Sequence, residues 1–235
     1  MRDSAISSTV LAKNDKVPEI LSCGFCSFMG VAMKVSSGVF VPRGETELLG
    51  FTALELIEDI PKPLIIDMCT GSGNLACALA TKLPAVKVWA VDATRECIAL
   101  LKENICHLSL QSRVIPIQSD LFSALLRSDI EGSIDLVVCN PPYIPARRLE
   151  TDRKALLDHE PREAFQAGPY GISIIQRVIR HAAILLRPGR PLCFEFGTGQ
   201  EGIVARLLEQ SDMYGAIRFV ADQSGVPRVV VAYKR

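Results

Sequence analysis

Three features of the sequence predict an α/β fold built on a mostly parallel sheet. Short apolar runs alternate with amphipathic segments from Pro63 onward. Such alternation implies right-handed strand–helix–strand crossovers and a sheet covered on both faces. A glycine-rich turn, Met68-Cys69-Thr70-Gly71-Ser72-Gly73, follows the first run. The last two apolar runs are joined by Asp222-Gln223-Ser224-Gly225 with no helix between them, so the alternation ends in an antiparallel pair.

Residues 1 to about 22 are polar and aperiodic and read as a loose leader with one short helix. FMGVAMKVSSGVFV (28–41) holds two apolar runs around Ser36-Ser37-Gly38, which predicts a β-hairpin turning there. Residues 1–45 are therefore expected to form a leader and hairpin lid, and 46–235 the main domain. Pro42-Arg43-Gly44-Glu45-Thr46-Glu47 leads into LLGFTALELIEDI, an amphipathic helix with acidic residues in its first turn, ended by Pro61 and Pro63. Strands are then expected at 64–68, 86–92, 113–118, 134–140 and 191–196. Helices are expected at about 74–83, over TRECIALLKENICHL, from Leu121 to Arg127, over ISIIQRVIRHAAILL and over IVARLLEQ. AIRFVA and RVVVAYK complete seven strands, the last antiparallel. A long irregular stretch separates the fourth strand from about Gly168.

Composition narrows the function. The chain has 235 residues, 26 Lys+Arg against 26 Asp+Glu, 49% hydrophobic and 22% charged residues, which is globular rather than disordered. Zero formal net charge gives no broad basic footprint for a nucleic-acid backbone. No apolar run approaches the roughly 20 residues that span a bilayer, and the N-terminus lacks a basic start followed by an apolar core. A cytoplasmic protein is expected. Eight cysteines lie largely inside apolar runs and read as reduced, small hydrophobes. Cys23-Gly24-Phe25-Cys26 has no second ligand pair, so no metal site is expected.

The turn after Asp67 points to an adenosine-containing ligand. Gly71 and Gly73 permit a tight turn and close approach to the backbone. Asp92 ends the next strand about 20 residues on, where a carboxylate can take both ribose hydroxyls. Gly71-x-Gly73-x-x-Ala76 also fits the dinucleotide fingerprint. A diphosphate, however, needs a bare helix N-terminus, whereas S-adenosylmethionine carries a sulfonium and an amino-acid tail that welcome a carboxylate such as Asp67. Asp67 can equally cap the turn. Asp120, after the third strand, can accept from the adenine amine or cap the helix that starts at Leu121.

Cys139-Asn140-Pro141-Pro142-Tyr143 ends the fourth strand. Two prolines stiffen the backbone and remove two N–H donors, leaving carbonyls beside the Asn140 amide as an acceptor array for both hydrogens of an NH₂ group. Tyr143 offers a flat wall. The array suits methyl transfer to a planar, weakly basic nitrogen, with positioning supplying most of the catalysis.

These motifs together resemble the HemK/PrmC family of class I S-adenosylmethionine-dependent methyltransferases, which modify a glutamine side-chain amide in peptide-chain release factors. The likeness covers about residues 28–235: the hairpin with PRGETE (42–47), DMCTGSG (67–73), Asp92, NPPY (140–143), HEPREAF (159–165), EFGTGQ (195–200) and the closing Asp222, Gly225 and Arg228. It implies a Rossmann-like class I methyltransferase fold, with cofactor contacts at Asp67, Cys69, Thr70, Gly71, Gly73, Asp92, Asp120 and Asn140. It implies substrate-nitrogen binding and catalysis at Asn140, Pro141 and Tyr143. Arg43, Glu45, Pro142, His159 and Glu160 are expected around the substrate, His159 as a candidate base and Glu160 orienting the loop after NPPY. S-adenosylhomocysteine is the product implied. Gly44 stands where the family usually has proline, and Cys69 where it often has glycine.

About 27 residues precede the hairpin, fewer than the helical bundle with which bacterial members grip the release factor. The acceptor is therefore expected to be presented by a partner subunit, or to be a small molecule or free peptide; a small-molecule methyltransferase is the alternative reading. An adenine methyltransferase of nucleic acid, an NAD-dependent oxidoreductase and a non-catalytic partner subunit rank below these. Arg147, Arg148, Arg153 and Lys154 form a small basic patch suited to a solvated loop or to contact with an acidic substrate or RNA.

Overall fold

The computed structural model describes residues 17–126, 129–143 and 172–235. Helix α1 (Val17–Cys23) buries Val17 and Ile20 and leads into a hairpin of β1 (Phe25–Phe28) and β2 (Val31–Lys34). The hairpin lies earlier than the sequence suggested. Phe28 pairs with Val31, so the loop is Met29-Gly30, with φ of 50° and 78°. Positive φ at both central residues gives the backbone twist that a two-residue hairpin needs. Ser36-Ser37-Gly38 instead bends the connection to the main sheet, where Val39 and Val41 are buried without joining a strand.

A short 3₁₀ turn, Gly44–Thr46, opens α2 (Glu47–Ile57). Alternation then runs through β3 (Leu64–Met68), α3 (Asn74–Lys82), β4 (Lys87–Asp92), α4 (Arg95–His107), β5 (Val114–Gln118), β6 (Leu136–Cys139), α5 (Ser173–Leu185), β7 (Pro191–Glu195), α6 (Glu201–Ser211), β8 (Tyr214–Ala221) and β9 (Pro227–Lys234). The helix expected from Leu121 is a 3₁₀ turn, Leu121–Ala124; Leu121 itself holds a left-handed φ of 47°, which a regular α-helix does not admit.

The seven strands lie in the order β5-β4-β3-β6-β7-β9-β8. β9 runs antiparallel to both neighbours and inserts between β7 and β8. Its middle, Val229–Ala232, is wholly buried, whereas β8 beyond Tyr214 is exposed or half-buried along its length. That difference in hydropathy makes the last strand an inner one. Strand alternation sends Ile65, Val88 and Leu136 to a core shared with α2, α3, α4 and the hairpin. Ile66, Val137 and Phe194 face the opposite core, against α5 and α6. The hairpin thus packs into the same core as the main domain. Among the described residues, no helix is long and apolar enough to cross a membrane.

Candidate active site

The chain leaves β3 toward β4 and β5, then returns to lay β6 and β7 on the other side of β3. The two halves wind apart at the β3–β6 boundary, which opens a crevice at the strands' carboxyl ends. Asp67, Asp92 and Asn140 stand at those ends.

Asp67 is fully buried. Its Oδ2 accepts from the Thr70 hydroxyl at 2.5 Å and from the Ala76 backbone N–H at 3.0 Å. The carboxylate therefore does cap the turn into α3. Its Oδ1, also buried, has no partner. Burial pushes the Asp67 carboxyl up to about 7, against the pull of these two hydrogen bonds.

The turn is stitched to the end of β4. Thr70 N donates to the Val91 carbonyl at 3.0 Å, and Gly71 N to Asp92 Oδ2 at 3.0 Å. Asp92 Oδ1 accepts from the backbone N–H and hydroxyl of Thr94 at 3.1 and 3.2 Å. The Asp92 carboxylate is thus fixed while retaining lone pairs for further donors. The two glycines do different work. Gly71 (φ +56°) has open space where a Cβ would stand. At Gly73 (φ +82°) a Cβ would lie 2.3 Å from Leu101 Cδ1, so its bareness lets α4 pack on the turn. Cys69 holds φ 60° in the same turn.

Asp120 is exposed and pairs with Arg177 of α5 at 2.9 Å. It makes no side-chain cap. Ser119 takes that role, its hydroxyl accepting from Ala124 N at 3.0 Å. The capping alternative for Asp120 is corrected accordingly: the ion pair turns its carboxylate away from the orphan N–H groups.

After β6, Pro141 is buried and Asn140, Pro142 and Tyr143 are half-buried. Asn140 Nδ2 donates to Thr46 Oγ1 at 3.1 Å. The Tyr143 hydroxyl donates to Glu195 Oε1 at 3.0 Å and accepts from Arg228 Nη2 at 3.3 Å. Arg228 Nη2 also reaches Glu195 Oε1 at 3.4 Å. Gln200 Nε2 donates to the Tyr143 carbonyl at 3.1 Å, and Gly197 gives the Tyr143 ring room. Burial and the Glu195 charge push the Tyr143 phenol well up. Tyr143 is therefore an anchor for the loop as well as a wall, and no phenolate forms near neutral pH.

Arg43 is buried with its guanidinium 4.8 Å from the Phe40 ring centroid, and Glu45 is exposed. The second acid of the motif has a structural role: Glu47 Oε1 accepts from Met29 N and ties the hairpin turn to α2. His159 and Glu160, and the basic residues Arg147, Arg148, Arg153 and Lys154, lie outside the described residues.

Four residues of this region escaped sequence reasoning as site components: Asn104, Thr46, Glu195 and Arg228. Asn104, fully buried on α4, exchanges hydrogen bonds with the backbone of Lys34 in β2 at 2.7 and 3.1 Å and donates to the Ser72 carbonyl at 2.9 Å. Its signal is a polar residue in line with Leu100, Leu101 and Ile105 on an apolar helix face. Glu195 carries a similar signal as a lone acid ending a fully buried strand. Among the described residues, no cluster of three or more His, Cys, Asp or Glu side chains is arranged to hold a metal ion.

Comparison with known proteins places this geometry. The family model described as "Methyltransferase small domain" matches residues 36–163. The release factor glutamine methyltransferase of Rhodopirellula baltica is 32% identical over 234 residues, covering 98% of this chain and 78% of that protein. The enzyme of the same name from Moorella thermoacetica is 35% identical over 212 residues, covering 90% and 73%. Among solved structures, the T. thermophilus 16S rRNA N2 G1207 methyltransferase RsmC, in complex with AdoMet and guanosine, superposes with TM-score 0.63 at 21% identity, covering 90% of this chain and 50% of that one. The catalytic domain of hMettl16 superposes with TM-score 0.65 at 17% identity, covering 88% and 76%. These structural likenesses are likenesses of fold.

Proposed function

The chain belongs to the release factor glutamine methyltransferase family, and from that premise we propose that it methylates the side-chain amide nitrogen of a glutamine in a peptide-chain release factor. It is an S-adenosylmethionine-dependent methyltransferase of the class I fold.

The residues present fit that cofactor. Asp67 Oδ1 is a buried acceptor with no partner, at the turn where an ammonium-bearing tail belongs. The open space above Gly71 admits a ligand against the backbone. Asp92 is held for the ribose hydroxyls by Gly71 and Thr94. We assign cofactor contacts to the segment Asp67–Gly73, with Cys69 and Thr70 lining it, and to Asp92 and Asn140. Asp120, at the end of β5, is assigned to the adenine side. Bound there, S-adenosylmethionine supplies an activated methyl carbon on a sulfonium and leaves S-adenosylhomocysteine.

The observation that carries the acceptor assignment is the Asn140 amide. Its nitrogen is engaged by Thr46 at 3.1 Å, which leaves its oxygen as an acceptor beside the proline-stiffened carbonyls. An amide NH₂ held by both hydrogens presents its nitrogen in one orientation, and alignment of this kind is worth several orders of magnitude in rate. As the carbon–nitrogen bond forms, the nitrogen becomes acidic and its proton leaves to solvent. No strong base is needed, and Tyr143 is not one, because its proton is committed to Glu195. Pro142, Arg43 and Glu45 are assigned to the substrate side, with His159 and Glu160 on the segment that follows NPPY. In this reading residues 1–45 supply the leader and hairpin lid, with the hairpin of β1 and β2 walling the site, and residues 46–235 form the methyltransferase domain.

Incubation with methyl-labelled cofactor and a cell lysate, separated into protein, nucleic-acid and small-molecule fractions, tests the acceptor class. Label is expected in protein. Label confined to small molecules or to nucleic acid would contradict the proposal.

A further inference from the structure

The segment Asn140–Tyr143 is held at its two ends by different side chains. At the first end Thr46 accepts from the Asn140 amide. At the second end stands Gln200, whose amide reaches the Tyr143 carbonyl. We propose that Gln200 is a positioning residue for methyl transfer: by pinning the Tyr143 carbonyl it fixes where the proline-stiffened segment presents its acceptors to the incoming NH₂ group. This rests on the amide-acceptor reading above.

Both ends of the Gln200 amide are engaged. Gly197 N donates to Gln200 Oε1 at 2.8 Å, and Gln200 Nε2 donates to the Tyr143 carbonyl at 3.1 Å. A backbone N–H can only donate and a carbonyl can only accept, so a flipped amide would lose both bonds. The backbone of Gln200 is itself fixed at the N-cap of α6. Its N–H donates to the Gly197 carbonyl at 3.0 Å, and its carbonyl accepts from Val204 N at 2.9 Å. Gly197 permits the close approach: a Cβ there would lie 2.9 Å from Gln200 Oε1 and 3.2 Å from Tyr143 Cδ2. Thr198, in the same turn, accepts from Arg228 Nη1 at 2.8 Å, while Arg228 Nη2 reaches the Tyr143 hydroxyl at 3.3 Å. Tyr143 is thus held at its carbonyl, its ring and its hydroxyl.

The hold on Tyr143 reaches the chemistry through the prolines. Pro141 and Pro142 each lock φ at about −65°, so the chain between Asn140 and Tyr143 has few ways to bend. Fixing the Tyr143 carbonyl together with its ring fixes the backbone of that residue. The two proline rings then carry the constraint back to the Asn140 and Pro141 carbonyls. The place calls for a side chain with a donor at one end and an acceptor at the other. Asparagine has both but is one methylene shorter. Glutamate has the length but, when ionised, offers acceptors only. It would keep the bond to Gly197 and set an oxygen against the Tyr143 carbonyl, leaving that carbonyl without its donor.

The test compares Gln200→Glu and Gln200→Ala with the wild-type enzyme, using a purified peptide-chain release factor as acceptor. Gln200→Glu retains the bond to Gly197 and is expected to fold even where Gln200→Ala does not. Cofactor binding is read from the rise in melting temperature on adding S-adenosylmethionine. The ¹³C carbonyl signal of Tyr143 is followed in protein labelled at its four tyrosines, and assigned by its loss in Tyr143→Phe. Both Gln200 variants are expected to lower kcat by about tenfold or more at saturating cofactor, in keeping with the cost of small misalignments. The melting shift is expected to be retained and the Tyr143 carbonyl signal to move. In Gln200→Glu, kcat relative to wild type is expected to recover as pH falls toward the ordinary carboxyl range, because the protonated acid regains a donor; the carbonyl signal is expected to return with it. A Tyr143 carbonyl signal unchanged in both variants, or a moved signal with wild-type kcat, would overturn the positioning role. A wild-type enzyme inactive on the release factor, with a carbonyl signal that still moves in Gln200→Glu and returns on acidification, would overturn the acceptor assignment while supporting the hold of Gln200 on Tyr143.

Discussion

Asp67 places a titratable group where the cofactor's cationic tail is assigned, and the consequence is a pH dependence with a definite sign. Its carboxyl is raised from 3.8 in the ordinary state to about 7 by burial. Below the lower value the carboxyl is neutral in both folded and unfolded chains. As pH rises toward 7 the unfolded chain ionises first, so the stability that the neutral buried form contributes is lost through that window. The ammonium partner needs the ionised form. Cofactor affinity, followed by calorimetry, is therefore expected to fall as pH drops below about 7, and Asp67→Asn is expected to flatten the profile while weakening binding. An unaltered profile in the variant would move the cause elsewhere. The two glycines separate folding from ligand binding. Gly73→Ala drives a Cβ against Leu101 at 2.3 Å and is expected to lower the melting temperature. Gly71→Ala meets no atom within 4 Å and is expected to fold, with a modest strain from its positive φ, but to bind cofactor at least tenfold more weakly. Equal losses of stability in the two variants would refute this division.

At the scale of elements, the hairpin is tied down rather than hinged. Asn104 joins Lys34 of β2 to the Ser72 carbonyl, Glu47 holds the Met29 turn, and Phe28 and Met33 are fully buried in the main core. Asn104→Leu leaves a backbone N–H and two carbonyls unsatisfied in a buried place. Unsatisfied buried groups cost about 1–3 kcal/mol each before relaxation, so chemical denaturation is expected to show a loss of about 2–4 kcal/mol with a parallel loss of cofactor affinity. Stability close to wild type would show that the hairpin and the glycine turn are not coupled through this side chain. Strand and helix positions were largely legible in the sequence, because each apolar run ends at glycine, proline or a change of hydropathy period. The hairpin turn was not. Ser36-Ser37-Gly38 has better turn chemistry by residue type, yet Met29-Gly30 has the two-residue spacing that matches the strand twist, with methionine held at φ 50° by tertiary contacts. The capping residue at Asp120 was missed for a similar reason: Ser119 sits one position earlier, and only the ion pair with Arg177 removes the aspartate from competition.

For the molecule as a whole, the sheet order concentrates the chemistry. Every motif residue that the sequence singled out within the described part of β3, β4 and β6 lies at a carboxyl end, on either side of the β3–β6 crevice. What stayed hidden was the support behind them, because it is assembled from residues distant in the chain: Thr46 and Asn140 are 94 positions apart, and Tyr143 and Arg228 are 85 apart. The insertion of β9 between β7 and β8 brings Arg228 to Glu195, and no local pattern announces that pairing. The opposite end of the sheet is closed by Asp135, which accepts from Leu64 N at 2.9 Å and from Arg187 at 2.6 Å. That ion pair stands at the strands' amino ends, away from the cleft. The most direct test of the account is mass spectrometry of a purified release factor after incubation with the enzyme and S-adenosylmethionine, with Asn140→Ala run in parallel. The account predicts one added methyl group on a glutamine side-chain nitrogen with the wild-type enzyme, and loss of that product with the variant while cofactor still raises its melting temperature. Methylation at another atom, or equal product from the Asn140→Ala enzyme, would contradict it.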